Sequence, residues 1–116
     1  MKIAIVGSRK ITVNDIGRYI SECDEIISGG ARGVDSCAAD LAREKGVKLT
    51  VLLPEYERYG RAAPIVRNKR IVDCADKVIA FWDGSSRGTL SVIKYAQKVG
   101  KACEIILCER LPGADS

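Results

Sequence analysis

The amino-acid sequence predicts a protein of the α/β class, in which helices cover both faces of a five-stranded, mainly parallel sheet. Short runs rich in β-branched residues are apolar at every position, as in parallel strands that are covered on both faces. The segments between these runs have apolar residues at helical spacing. Because strands and helices alternate, we expect right-handed crossovers and a Rossmann-like three-layer α/β/α sandwich with strand order 3-2-1-4-5.

The strands are expected at residues 2–6, 25–28, 47–53, 77–82 and 103–107. The helices between them each present one apolar face. In the first two helices this face comprises Val13, Ile16, Tyr19, Ile20 and Cys23, and Val34, Cys37, Ala38, Leu41 and Ala42. A fourth helix, at residues 87–99, has an inward face of Val92, Ile93, Ala96 and Val99 and ends at Gly100.

The third helix, expected at residues 62–75, is less regular because four polar residues, 67–70, follow one another. At ~100° per residue they sweep roughly 300° of arc, so one of them has to face inward or toward the sheet edge. Ile65 and Val72 define the apolar stripe, and Asn68 lies between them at helical spacing from both. A partly buried Asn needs hydrogen-bond partners, so Asn68 is expected to have a structural or a ligand-binding role.

Composition indicates one domain, residues 1–108, followed by a frayed tail at 109–116. The formal net charge is +4, and the chain contains no His, which excludes the usual general base at neutral pH. The five cysteines lack the spacing of a metal site or a disulfide framework, so we expect buried free thiols, no metal and a cytoplasmic setting. No apolar segment is long enough for a signal peptide or a membrane span, so no membrane partner is expected.

Gly-rich loops follow several of the predicted strands. In a parallel sheet, ligands bind outside the carboxyl ends of the strands, near the point where the strand order reverses. Glycine allows close approach of the backbone, and the start of the next helix offers unpaired N–H groups to an anion. Two such cradles are expected, at residues 29–33 and 85–89; the alternative is that these glycines only form tight turns, with Asp35 and Thr89 capping helices. Neither loop has the GxGxxG or the Walker pattern.

Basic and aromatic residues are expected near the same edge of the sheet. Between residues 58 and 70 the chain has no acid and five basic residues, namely Arg58, Arg61, Arg67, Lys69 and Arg70. This stretch is either a solvated face or a set of partners for phosphate oxygens. Phe81 is expected in the core, whereas Trp82 is expected either to pack or to stack on a base.

Taken in order, the motifs resemble those of a known superfamily. They are Gly7-Ser8-Arg9, residues 29–35, residues 59–68, residues 80–84 and Gly88-Thr89. The series resembles the YspA/cpYpsA-related branch of the SLOG superfamily over residues 2–99. The resemblance implies a Rossmann-like sheet that recognises nucleotides or nucleotide derivatives, with no certain cofactor, and a possible homodimer is expected from the family alone.

The resemblance carries binding roles over to Ser8, Arg9, Gly29, Gly30, Arg32, Asp35, Arg67, Asn68, Gly88 and Thr89. With the loop residues added, the expected ligand- and phosphate-binding set is Gly7, Ser8, Arg9, Gly29, Gly30, Arg32, Gly33, Asp35, Arg67, Asn68, Asp83, Ser85, Gly88 and Thr89. Arg9, Arg32 and Arg67 are expected to neutralise charge. Asn68 and Asp83 are expected to contact sugar hydroxyls.

Two relatives in the superfamily supply alternative functions. LONELY GUY-type phosphoribohydrolases cleave a base from a nucleoside monophosphate with a PGGxGTxxE motif. This chain has no acid between Asp83 and Glu104, so its candidate catalytic acids are Asp35 and Asp83 in a different geometry. DNA-processing protein A binds single-stranded DNA and resembles residues 28–35 and 67–71, but few aromatic residues here accompany the basic ones. The leading expectation is therefore binding or sensing of a phosphate-bearing nucleotide or nucleotide derivative.

Overall fold

The computed structural model describes residues 1–7, 23–29 and 34–108, and residues 34–37 by their backbone alone. The strands are β1 (Lys2–Gly7), β2 (Glu25–Ser28), β3 (Lys48–Val51), β4 (Lys77–Trp82) and β5 (Ala102–Leu107). The helices are α1 (Val34–Lys45), α2 (Tyr56–Tyr59), α3 (Ala63–Cys74) and α4 (Arg87–Lys98), and a 3-10 turn, Gly60–Ala62, joins α2 to α3. The expected first helix and the expected tail lie outside the described residues.

The strands form one parallel sheet in the order β3-β2-β1-β4-β5, which confirms the predicted fold class and strand order. The centre of the sheet is β1, where Ala4 lies in register with Ile27 of β2 and with Val78 of β4. From β1 the chain proceeds outward to β2 and β3, then crosses back to β4 on the other side of β1. The carboxyl end of β1 is therefore the place where the strand order reverses and where a crevice forms.

Two apolar layers hold the sheet between its helices. On one face, Ile5, Ile26 and Phe81 pack with Ala38 and Ala42 of α1. On the other face, the small side chains of β1 and β4 pack against α3 and α4 through Ile71, Val72, Val92, Ile93 and Ala96. Phe81 is completely buried, as predicted. These layers hold the starts of α3 and α4 close to the carboxyl ends of the central strands.

The segment after β2 differs from the sequence-based expectation. Strand β3 has four residues instead of the expected 47–53, because its single partner, β2, also has only four residues with which to pair. The residues between β3 and α3 contain the short helix α2 and the 3-10 turn. Directly after β3, the backbone N–H of Leu52 donates to the carbonyl of Ser28 at 2.9 Å.

The inward position of Asn68 on α3 is confirmed, since only 7% of the residue is exposed. The assignment of Ile65 to the same inward stripe was wrong, because 52% of Ile65 is exposed. The buried stripe runs through Asn68, Ile71, Val72 and Ala75, and Ile65 lies at its margin in the first turn of the helix. Val99, also expected to face inward, is 46% exposed because α4 ends one residue before it, at Lys98.

The cysteines whose side chains are described are not buried as expected. Cys23, Cys103 and Cys108 are partly exposed, and Cys74 is exposed. The reason for Cys103 and Cys108 is that they lie in or directly after β5, an edge strand with one neighbour, whereas Cys74 is the last residue of α3. All four have free thiols. Within the described ranges, no helix is long and apolar enough to cross a membrane.

Candidate functional site

A pocket of about 270 Å³ opens at the carboxyl ends of β1 and β2, between α3 and the start of α4. Its apolar floor comprises Val6, Ile71 and Val92. The polar or backbone part of its lining consists of Gly7, Gly29, Arg67, Asn68, Ser86, Gly88 and Thr89. The elements that meet here are distant in the chain, and they meet at the point where the strand order reverses. The fold therefore brings together six of the sequence-predicted site residues: Gly7, Gly29, Arg67, Asn68, Gly88 and Thr89.

One wall of the pocket is the first turn of α4. Ser86 is the N-cap residue, and the first backbone bond of the helix runs from the N–H of Leu90 to the carbonyl of Ser86 at 3.2 Å. The N–H groups of the residues between them therefore have no partner within the helix. The hydroxyl of Thr89, a residue only 4% exposed, accepts a hydrogen bond from the Ser86 hydroxyl at 3.4 Å. This turn presents backbone donors and the positive end of the helix dipole to the pocket.

Gly88 lines the pocket within this first turn. Apart from its chain neighbours and the backbone of its own helix, a Cβ atom placed on Gly88 would meet no atom of the described residues within 4 Å, and its φ angle is not in the left-handed region. Glycine in a helix is less stable than alanine by roughly 0.5–1 kcal/mol. Within the part of the chain that the structure describes, neither packing nor backbone conformation requires glycine at this position. Its effect is to leave room for close approach to the backbone from the pocket.

The opposite wall is formed by Arg67 and Asn68 of α3. The guanidinium Nε of Arg67 donates to Oδ1 of Asn68 at 2.8 Å, and its Nη1 donates to the carbonyl oxygen of Gly29 at 3.0 Å. Because a guanidinium nitrogen only donates, the Asn68 atom that faces Arg67 has to be the amide oxygen. The Asn68 nitrogen Nδ2 has no hydrogen-bond partner among the residues that the structure describes.

Three acceptor atoms of the pocket lining already accept hydrogen bonds from the protein. Arg67 occupies both the Asn68 amide oxygen and the Gly29 carbonyl. The Ser86 carbonyl accepts from the indole Nε1 of Trp82 at 3.0 Å as well as from Leu90. The pocket wall therefore combines a fixed positive charge with N–H donors, which is the chemistry that an anion requires.

The turn before α4 is held in place by Asp83. The carboxylate Oδ1 of Asp83 accepts from the backbone N–H of Ser85 at 2.9 Å and from that of Ser86 at 2.8 Å. Gly84, between them, has a φ of 86°, a conformation that glycine adopts without strain. Asp83 and Ser85 are thus bonded to each other and lie outside the pocket lining, while Ser86 lies within it.

Replacement of Asp83 by Ala is expected to lower the free energy of unfolding by about 1–2 kcal/mol, the usual cost of losing a carboxylate that accepts from the backbone ahead of a helix. Urea denaturation followed by circular dichroism measures this loss. The Asp83→Asn variant retains one acceptor oxygen and is the matched control, for which we expect a smaller loss. Equal stability of the wild type and Asp83→Ala would contradict the structural role assigned to this carboxylate.

The basic residues of the stretch 58–70 have separate environments. Arg67 lies at the pocket, whereas Arg58 stacks over the ring of Tyr59 at 5.3 Å. Lys69 lies 5.8 Å from the centroid of the Tyr95 ring, and Arg70 pairs with Glu55 at 3.9 Å. A wider surface depression of about 460 Å³ is lined by residues 54–58. That depression belongs to one local segment, whereas the pocket between α3 and α4 collects residues from four elements and their loops.

Several predicted site residues lie outside the described residues. These are Ser8, Arg9, Gly30, Arg32 and Gly33, and the side chain of Asp35. Sequence reasoning missed the apolar floor, and although Ser86 lies within the cradle expected at residues 85–89, it was not among the named binding residues. The signal for Ser86 was its position three residues before Thr89, the spacing of an N-cap and the third residue of a helix. Trp82, for which stacking on a base was one expectation, hydrogen-bonds to the N-cap carbonyl and packs partly against the core.

The chain was compared with protein-family models, with curated proteins and with solved structures, and no match was found.

Proposed function

We propose that the protein binds a phosphate-bearing nucleotide or nucleotide derivative, with the phosphate in the pocket between α3 and the first turn of α4. The observation that carries this proposal is Gly88. A helical glycine that no neighbouring atom requires, in the wall of a pocket, is explained by a ligand that approaches the backbone closely. The backbone donors of α4 and the charge of Arg67 make an anionic group the best match for that ligand.

The sugar and base would extend from the phosphate along the carboxyl ends of β1 and β2, at Gly7 and Gly29. The pocket itself, at about 270 Å³, is just below the range of roughly 300–1,000 Å³ in which drug-sized ligands bind, so it suits a phosphate and part of a sugar. The order of the motifs along the chain, which resembles the SLOG superfamily, supports a nucleotide in preference to an unrelated phosphate ester. Membership of that superfamily is part of this proposal.

Binding or sensing is favoured over phosphoribohydrolase activity. One candidate acid, Asp83, already accepts two backbone hydrogen bonds and lies outside the pocket lining. Single-stranded DNA binding is also less favoured, because Arg58, Lys69 and Arg70 have aromatic or acidic partners within the protein. A site for one phosphate group fits the geometry better than a basic groove along a strand.

A thermal-shift screen tests the proposal. The ligands are nucleoside mono- and diphosphates, ADP-ribose, cyclic nucleotides and short oligonucleotides, each with the matching nucleoside as a control that lacks phosphate. A ligand at a hundred times its Kd stabilises the folded state by about 2.7 kcal/mol, which corresponds to a rise in Tm of about 10 °C for a domain of this size. If no phosphate compound raises Tm even at low salt, or if nucleosides act equally well, the proposal is wrong.

A further inference from the structure

We infer that Arg67 is a positioning residue that fixes the Asn68 amide with its nitrogen toward the pocket, so that the site selects a terminal phosphate in its doubly ionised form. This inference rests on the proposed function and adds to it the protonation state of the ligand. It goes beyond charge attraction, because it concerns which hydrogen-bonding groups the wall presents.

The orientation of the amide follows from the chemistry of its neighbour. Asn68 can turn either its oxygen or its nitrogen toward the pocket, and the two choices present an acceptor or a donor. The Nε of Arg67 lies 2.8 Å from Oδ1 of Asn68 and can only donate, so the oxygen is held on the Arg67 side. Arg67 is itself held by its second bond, to the Gly29 carbonyl at 3.0 Å. The buried amide nitrogen is consequently left as a donor in the pocket wall.

A donor in this position distinguishes two forms of a phosphate monoester. The dianion has three terminal oxygens that only accept, which match Asn68 Nδ2 and the N–H groups of the α4 first turn. The monoanion carries one P–O–H group, which needs an acceptor. Two acceptors in the pocket wall, Asn68 Oδ1 and the Gly29 carbonyl, already accept from Arg67, and the Ser86 hydroxyl is bonded to the Thr89 hydroxyl. These groups are therefore poorer acceptors for a P–O–H group than free ones would be. The second ionisation of a phosphate monoester has a pKa of about 6, so the two forms exchange within an accessible pH range.

The chain lacks the side chain that ordinarily titrates in that range. The chain has no His, and carboxyl groups ordinarily titrate near pH 4. Facing the pocket, α3 contributes Arg67, α4 contributes no titratable lining residue, and the described ends of β1 and β2 contribute glycines. Asp83 lies in the turn before α4, and Arg87 is exposed at the start of that helix; Arg9, Arg32 and the Asp35 side chain lie outside the described residues.

Three thiols and the terminal amine, all outside the pocket lining, have pKa values raised above their ordinary values. Burial raises the pKa of the thiols of Cys23, Cys103 and Cys108. The hydrogen bond to Asp24 raises the pKa of the Met1 amine. These four shifts move the groups concerned further from the range between pH 5 and pH 7.5.

Isothermal titration calorimetry with ribonucleoside 5′-monophosphates, at constant ionic strength between pH 5 and pH 7.5, tests the inference. We expect the wild type to bind about tenfold more weakly at pH 5, because the dianion fraction falls by about that factor. Adenosine 3′,5′-cyclic monophosphate, a diester that stays singly ionised, controls for pH effects on the protein.

Two variants separate the role of the amide from simple attraction. In Asn68→Asp, one carboxylate oxygen remains on Arg67 and the other becomes an acceptor in the pocket, so affinity is expected to be at least tenfold lower at pH 7.5 and to rise toward pH 5. In Arg67→Lys the charge remains but the Nε donor is lost, so the amide can turn and the difference between the two pH values shrinks. Arg70→Lys, on the same helix and paired with Glu55, is the matched control and should behave as the wild type.

The outcomes distinguish the two proposals. Wild-type binding that does not depend on pH, or an Asn68→Asp variant with the wild-type pH dependence, overturns the inference about Asn68 and leaves the proposed function in place. A full pH effect in Arg67→Lys overturns the positioning role of Arg67. Failure of every 5′-monophosphate to bind at any pH overturns the proposed function, and the inference with it.

Discussion

Gly88→Ala should bind its phosphate ligand about tenfold to a hundredfold more weakly than the wild type while folding at least as stably. The new methyl group meets no atom of the described residues outside its own helix within 4 Å, and alanine is the better helix former. The free energy of unfolding is therefore expected to rise by up to about 1 kcal/mol. The same methyl group enters the space that a ligand would occupy against the α4 backbone. Crowding of this kind costs about 1–3 kcal/mol, and about 1.4 kcal/mol corresponds to a tenfold change in Kd.

Urea denaturation and calorimetric titration of the same preparation measure both effects. Gly100→Ala is the matched control at the other end of α4. Gly100 has a φ of 73°, in the left-handed region, so alanine there is expected to cost about 1–2 kcal/mol of stability and to leave the Kd unchanged. Gly88→Ala should therefore lose ligand affinity without losing stability, whereas Gly100→Ala should lose stability without losing affinity. Gly88→Ala with unaltered ligand affinity would show that the pocket at the start of α4 is not where the ligand binds.

Ile71→Ala is expected to lower the free energy of unfolding by about 2–5 kcal/mol, the usual range for truncation of a buried isoleucine. Ile71, a residue of α3, is 1% exposed and packs against the sheet, and it also forms part of the pocket floor. Because small domains are stable by only about 5–15 kcal/mol, the variant should unfold at a much lower urea concentration than the wild type.

Ile65→Ala is the matched control for Ile71→Ala, with the same substitution on the same helix. Ile65 is 52% exposed, so its replacement is expected to change stability by no more than about 0.5 kcal/mol. Equal losses in the two variants would mean that α3 does not pack on the sheet through the face that contains Ile71.

The sheet and its strand order could be predicted because parallel strands covered on both faces are apolar throughout, and because crossover handedness allows few arrangements. The position of Asn68 followed from helical spacing alone. The error at Ile65 has a physical cause. Helical spacing fits a stripe that begins at Ile65 as well as the observed stripe through Asn68, Ile71, Val72 and Ala75. Only the position of the sheet decides whether Ile65 is covered.

The local structure around the site could be predicted only in part. Gly-rich composition indicated an anion cradle at the start of α4, and the pocket lies there. The sequence did not indicate that Asp83 would hold the turn in place while Ser86 lined the pocket, because the choice depends on which loop atoms meet which backbone N–H groups. The bond between Arg67 and Gly29 joins residues 38 positions apart, and spacing along the chain carries no information about it.

The most direct test of phosphate binding between α3 and α4 is a nuclear magnetic resonance titration of the isotopically labelled protein with ribonucleoside 5′-monophosphates. We expect the largest chemical-shift changes at the backbone N–H groups of Gly88 and Thr89 and at the side-chain amide of Asn68. The matching nucleosides should leave these signals in place. Changes concentrated at Arg58 and Arg61, or no change at Gly88, Thr89 and Asn68 on saturation, would contradict this expectation.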